Sequence, residues 1–366
     1  MLNLMAGSLG GHIPSVRGDR LSVLSLVTNA TCNLSCRHCY LKPEGPPVGM
    51  QPQQWLKLLR SVFADLCPHS ICFSGKEVFS RGESASILFE AIRMRNRIQG
   101  HGEHRTRVGV ITNGTLLGQY RDQLADCLPD WLDISIDGTR EYHDAIRGKG
   151  AFDRTARNLP WLVELLGDRL WITPTLMEAN LDALPEIVSS LYEQFGLRRF
   201  AVGLYKPQVY TDSLLRLQDV GREARILRAL NGLGAIGPVD GVEVRLEFDS
   251  GDQVLRTRLE EDGLIPKEGV VRVAERRLNN GVTLRFSTTS VRVGLWRAVR
   301  VTNEGLWVAA EDLVDATGYQ HRATGHVADF DYDARKAYEA GLAHPRFKEL
   351  FGTTAEEFLS TLARSA

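Results

Sequence analysis

The sequence predicts an α/β fold: a mainly parallel sheet with crossover helices over residues 20–206, followed by a smaller, hairpin-rich α+β region over residues 207–366. Three observations predict it. Short β-branched runs alternate six times with longer amphipathic stretches in the first region. The rhythm then breaks into closely spaced strand-like runs joined by Asn/Gly turns. Finally, 366 residues with 43 % hydrophobic and 24 % charged side chains can bury a large core.

Residues 1–19 read as an N-terminal extension. RLSVLSLVTN (20–29) is a buried strand that runs into the cysteine-rich loop TCNLSCRHCY, and PQQWLKLLRSVFADL (52–66) has helical apolar spacing. HSICFSG (69–75), RVGVITNG (107–114), WLDISIDG (131–138), RLWITPTL (169–176) and RRFAVGLY (198–205) are the further strands. Helices are expected at 85–98, 116–128, 151–167 and 183–196. Repeated strand–helix order suits either an open doubly wound sheet or a partial β/α barrel. In both, the loops at the C-terminal strand ends carry the site, and TCNLSCRHCY, SGKE, TNGT and SIDG all fall there. After residue 206 a helical stretch (211–233) precedes strands at VEVRLEF, VVRVAER, VTLRFS and VRVGLWRAVRVTNEGLWVA. The turns at 279–281 and 303–305 suit hairpins. A terminal helix pair is expected from 344, with Thr353 or Thr354 as a cap.

Charge is balanced, 44 Lys and Arg against 45 Asp and Glu, so no global excess predicts nucleic acid or an anionic membrane as partner. The N-terminus has neither a signal-peptide pattern nor a spanning apolar run, which predicts a cytoplasmic protein. Six cysteines are too sparse for a disulfide framework, and a tight cluster in a reducing compartment points to metal or catalysis. Cys67, Cys72 and Cys127 are the others, and none follows Cys127.

Cys32, Cys36 and Cys39 therefore need an explanation. Thiolates are ligands for zinc, Cu(I) and iron–sulfur clusters, and these spacings let one loop wrap one face of a metal site. Zinc closed by His38 is one reading. A [4Fe–4S] cube on three thiolates fits better, leaving one iron open to a non-protein ligand.

The string CNLSCRHCY resembles the CxxxCxxC signature of radical S-adenosylmethionine (SAM) enzymes, in particular the SPASM/twitch-like branch. FSGKEVF (73–79) is similar to that family's GGEP segment, ITNGTLL (111–117) to its third-strand motif and SIDGTREYHDAIRG (135–148) to its fourth-strand segment. The resemblance implies a partial (β/α)6 barrel and two cofactors, one [4Fe–4S] cluster on Cys32, Cys36 and Cys39, and SAM on the fourth iron. It implies reductive cleavage of SAM to methionine and a 5′-deoxyadenosyl radical, with an external one-electron reductant of flavodoxin or ferredoxin type. Carried over by position, Ser74, Gly75 and Glu77 would bind the methionine amine, and Ser135 and Asp137 the ribose or methionine end. Arg147 would pair with the SAM carboxylate, Tyr40 would flank adenine, and Asn113 would either touch SAM or form a turn. Two positions depart from GGEP: Lys76 and Val78 replace its second Gly and its Pro. The auxiliary-cluster cysteines of the branch are missing, so residues 207–366 are expected to cover substrate and hold no cluster.

The expected reaction is hydrogen abstraction from a small molecule such as a sugar, aminocyclitol, nucleoside or amino acid in natural-product biosynthesis. Epimerisation, dehydrogenation, decarboxylation or rearrangement would follow. The alternatives are a peptide-modifying maturase, which the 31 residues before Cys32 and the missing auxiliary cysteines disfavour, and a non-catalytic scaffold or zinc module. Cys72 and Tyr205 are candidate hydrogen donors, although a cysteine in a buried strand is commonly a core residue. His143 and Asp144 can equally be a helix-start pair, and Trp296 and Trp307 core residues. Oligomeric state is left open.

Overall fold

The sheet begins where the apolar runs predict. The computed structural model describes residues 21, 23–39, 49–102, 104–205, 215, 217, 221–247, 253–264, 271–289, 298–309 and 323–344. Strands β1 (Val23–Leu26), β2 (Ser70–Phe73), β3 (Arg107–Thr112), β4 (Trp131–Ile134), β5 (Leu170–Ile172) and β7 (Arg199–Leu204) lie side by side and parallel, with β6 (Thr175–Leu176) pairing β7. Helices α1 (Pro52–Ser61), α2 (Gly82–Gln99), α3 (Arg121–Asp126), α4 (Arg140–Arg147), α5 (Ala151–Ala156), α6 (Leu159–Leu166) and α7 (Leu184–Phe195) occupy the crossovers.

Alternation along the strands divides the core. Leu24, Leu26, Ile71, Phe73, Val108, Val110, Leu132, Ile134, Phe200 and Val202 join the helices in the main cluster. Val23, Cys72, Trp131, Trp171 and Ala201 form a separate cluster on the opposite, inner face of the partial barrel. Gly109 makes that inner layer possible, because a Cβ there would lie 2.0 Å from the Trp131 ring. Arg107 and Arg245 stack on Trp131 and Trp171, at 5.4 and 4.5 Å from the ring centres. Glu243 accepts from Arg199 (2.7 Å) and Arg245 (2.8 Å) beside them.

Two predicted elements are broken by proline. The strand at 169–176 splits into β5 and β6 around Pro174, and the helix at 151–167 into α5 and α6, with Pro160 in the first turn of α6. Asn158, at the second break, donates to the Gly114 and Arg154 carbonyls (2.9 and 3.2 Å).

The C-terminal strands extend the same sheet at both edges. Helix α8 (Arg222–Gly232) provides the crossover that lets β8 (Glu243–Glu247) run parallel to β7. After α9 (Gln253–Glu261), β9 (Val271–Arg277) and β10 (Thr283–Thr289) form a hairpin, and β10 pairs β8 in parallel. At the other edge β11 (Ala298–Val301) runs parallel to β1, followed by antiparallel β12 (Leu306–Ala309) and β13 (Ala323–His326). Both predicted turns are present, closed by Leu278 N–H to Val282 O (2.8 Å) and Thr302 N–H to Leu306 O (3.0 Å). Helix α10 (Ala334–Ala343), capped by Asp333, was not expected from the pattern. Trp307 is a core residue, while Trp296 and the helix pair expected beyond 344 lie outside the described residues. No helix among the described residues is long and apolar enough to cross a membrane.

Candidate active site

The four loops singled out in the sequence meet at the C-terminal ends of β1 to β4. Leaving β1, Asn29 accepts the Thr31 N–H (2.8 Å) in an Asx turn that aims the chain into the cysteine loop. Cys32 is exposed and Cys36 and Cys39 are half-buried; Cys39 N–H closes a turn onto Cys36 O at 3.1 Å. Leu34 N–H points at Cys32 Sγ (3.4 Å), and Arg37 N–H anchors the loop to Ile146 O on α4 (2.9 Å). Burial pushes the Cys36 thiol up to about 11 although Arg147 pulls it down, and it also raises Cys32. Metal ions, by stabilising thiolate, displace such protons.

The donor set suits a cluster. Among the described residues no three His, Cys, Asp or Glu side chains converge as around a single metal ion. Three thiols spread along one loop match a cube in which each binds a different iron. His38, the proposed fourth zinc ligand, turns instead to the β4 exit: Arg147 Nη2 donates to its Nε2 at 3.4 Å, and Asp137 lies 3.8 Å away. Burial pushes its imidazole down to about 4.

At the β2 exit, the buried Ser74 shares a hydrogen bond with Ser25 (2.7 Å). Gly75 has φ +104°, and a Cβ would lie 2.8 Å from Val27, so the loop can approach β1 this closely only with glycine. Glu77 is buried, accepting from Thr112 Oγ1 (2.7 Å), Asn113 N–H (2.8 Å) and Phe79 N–H (3.1 Å). Asn113 forms its own Asx turn with Thr115 N–H (2.9 Å). Its Nδ2 donates to Asn33 Oδ1 (2.9 Å), close to Cys32 Sγ (3.8 Å). Turn formation and contact with the cysteine loop therefore coexist in one residue.

At the β4 exit, Ser135 is half-buried and its N–H donates to Thr112 O (2.9 Å). Asp137 is fully buried, accepting from Arg147 Nε (2.6 Å) and Thr175 N–H (3.0 Å). Burial alone would raise its carboxyl, but the Arg147 guanidinium holds it well below the usual carboxylate range. The Asp137 N–H donates to His143 Nδ1 (3.2 Å), and burial pushes that imidazole down to about 4. Asp144 instead caps the next turn, accepting from Gly150 and Phe152 N–H (2.7 and 2.8 Å).

Of the candidate donors, Cys72 is buried in the inner layer with Trp131 and Trp171, whereas Tyr205 packs with Ile146, Met177 and Leu215 beside α4. Tyr40 lies outside the described residues. Sequence reasoning missed Asn29, Asn33, Thr112 and Asn180, whose Nδ2 donates to Asp137 O (2.7 Å). An Asn at a strand exit is the only signal for the first two.

Fold and site together define a cluster-dependent enzyme built on a partial β/α barrel. The family model of the Radical SAM superfamily matches residues 26–191, so this segment is a radical SAM domain, of a family that uses a [4Fe–4S] cluster and SAM. A probable GTP 3′,8-cyclase from Methanopyrus kandleri is 26 % identical over 258 residues, 65 % of this chain and 78 % of the relative. Pre-heme d1 synthase from Dinoroseobacter shibae is 27 % identical over 189 residues, 50 % of this chain but only 43 % of the relative. Among solved structures, anSMEcpe with bound AdoMet and Kp18Cys peptide superposes with a TM-score of 0.59 at 13 % identity. That match covers 90 % of this chain and 82 % of the other, and it bears on the fold alone.

Proposed function

We propose that this enzyme abstracts hydrogen from a small polar molecule rather than from a peptide. The observation that carries the reading is the similarity over 65 % of the chain to a relative named for chemistry on GTP, a small molecule. The inner face of the barrel agrees with it. Asp133 and Arg300 are fully buried polar groups on that face, which they share with the Trp131 and Trp171 indoles, an environment suited to an enclosed polar ligand.

In this reading Cys32, Cys36 and Cys39 hold the cluster. The Ser74–Lys76 loop, Asn113, Ser135 and the Asp137–Arg147 pair border the SAM face. The bound cofactors supply a carbon-centred radical; the protein's residues orient SAM and substrate and exclude water. Because Arg147 is already committed to Asp137 through Nε, any pairing with the SAM carboxylate uses its remaining N–H groups. Residues 207–366 serve as the SPASM/twitch-like part, and a cytoplasmic flavodoxin or ferredoxin supplies the electron.

The test begins with anaerobic reconstitution and electron paramagnetic resonance of the reduced protein with and without SAM. Formation of 5′-deoxyadenosine is then followed by mass spectrometry with GTP, other nucleotides, amino sugars and amino acids, against a peptide library. Stimulation by a small molecule is expected. Stimulation by peptides alone would overturn the substrate class, and a cluster spectrum indifferent to SAM would overturn the cofactor site.

A further inference from the structure

We propose that Glu77 is a positioning residue: its carboxylate holds the β3 exit and its peptide group the β1 exit, so that together they fix the two exits around Cys32, and the carboxylate makes no contact with the SAM ammonium. The inference rests on the reading that SAM binds at this mouth, and it reverses the role that the motif position implies for Glu77.

Glu77 is 2 % exposed. A buried carboxylate is costly unless hydrogen-bonded, and three donors from two different segments satisfy this one: Thr112 Oγ1, the Asn113 N–H and its own loop's Phe79 N–H. Its peptide group is equally committed. The N–H donates to Thr31 O (3.0 Å), and the carbonyl accepts from Asn29 Nδ2 (3.0 Å) and Ser80 Oγ (2.7 Å). Thr31 immediately precedes Cys32, and Asn113 reaches Cys32 Sγ and Asn33 from the other side. Glu77 thereby fixes both flanks of Cys32. A carboxylate serving as an ammonium acceptor would need lone pairs directed into the open mouth, and here at least three are directed into the protein.

Glu77→Gln turns one acceptor oxygen into a donor facing the Thr112, Asn113 or Phe79 hydrogens. Residues that orient metal ligands from behind typically change metal affinity about 10–100-fold when altered. In the reconstituted variant we expect lower iron and sulfide per chain and a shifted spectrum of the reduced, SAM-free cluster. On the loaded fraction, Kd for SAM should stay within about threefold of wild type, since no charged contact to SAM is lost. Asn113→Ala should shift the SAM-free spectrum in the same direction with the thermal midpoint of the metal-free chain unchanged, which separates positioning from general destabilisation. The opposite pattern overturns the proposal: Glu77→Gln with normal cluster content, an unchanged SAM-free spectrum and a Kd for SAM raised about tenfold or more, as loss of a charge-assisted hydrogen bond requires. Should Glu77→Gln fail to fold, an unchanged SAM-free spectrum in Asn113→Ala overturns it. If the wild-type cluster ignores SAM, the cofactor-site reading falls separately, and the SAM-free measurements still decide Glu77.

Discussion

Replacing Asp137 by Asn tests how strongly the β4 exit holds the cysteine loop. The carboxylate is fully buried and Arg147, its partner at 2.6 Å, is 8 % exposed, so the substitution leaves a guanidinium inside without its countercharge. An Asn amide can still accept from Thr175 N–H, but its NH2 group would then face the Arg147 Nε–H. Removing one member of a buried pair costs about 3–5 kcal/mol. For 366 residues an unfolding entropy of roughly 2.1 cal/mol/K per residue gives about 0.8 kcal/mol/K, hence a midpoint lower by about 4–6 °C. Circular dichroism melts of the metal-free chain at pH 7 measure it. The double variant Asp137→Asn with Arg147→Met, which removes both charges, should lose less than the sum of the two single variants. Because the Asp137 carboxyl is held below its usual range, its stabilisation is complete above the unfolded value near ~4 and is lost as pH falls below it. The deficit should therefore be the same at pH 7 and pH 5. A single variant melting within about 1 °C of wild type, or strictly additive losses, would refute the reasoning.

Three further outcomes are expected. His143 is held near 4 by burial, so its unfolded form binds a proton first as pH falls below about 6.5, and folded stability declines between there and pH 4. His143→Gln should remove up to about 3 kcal/mol of that decline in melts across the range, and an unchanged slope would sink the assignment. Gly109→Ala drives a methyl into the Trp131 ring, with overpacking costs of about 1–3 kcal/mol or more, read as a lower midpoint that Trp131→Phe partly relieves. Cys36→Ala should abolish bound iron and sulfide on reconstitution while Cys127→Ala, buried in the main core, retains them; equal loading of the two would count against the triad.

The strands were legible because apolar residues recur on their helix-covered face, and the cysteine loop because spacing alone declares it. Helix α4 was not. REYHDAIR carries Ile146 as its one large aliphatic residue, and what α4 buries besides is His143 and Arg147, held by Asp137. Apolar periodicity cannot detect a helix face buried through an ion pair. Pro160 and Pro174 were visible and should have divided their elements. The attachment of β8 and β10 to one sheet edge and β11 to the other was beyond the pattern, since alternation marks a strand but not its neighbour. Likewise nothing in the sequence joins Glu77 to Thr112 and Asn113, which stand 35 and 36 residues away and are brought to it only by the fold.

The cysteine loop is consequently held at its two ends by different chemistry. Near Cys32 the clamp is Glu77, whose carboxylate accepts from the Asn113 N–H and whose peptide group joins Asn29 and Thr31. Near Cys36 and Cys39 it is the Asp137–Arg147 ion pair, with His38 above it and the Arg37 N–H on Ile146 O. Both clamps are built from strand-exit residues and from helix α4, not from the inner face of the barrel where Cys72, Trp131 and Trp171 pack. Substitutions on that inner face would therefore reshape the space proposed for substrate while the cysteine loop keeps its support. Such a separation would let the cysteine loop stay constant while the chemistry varies, and the relatives of this chain carry different names, a GTP 3′,8-cyclase and a pre-heme d1 synthase.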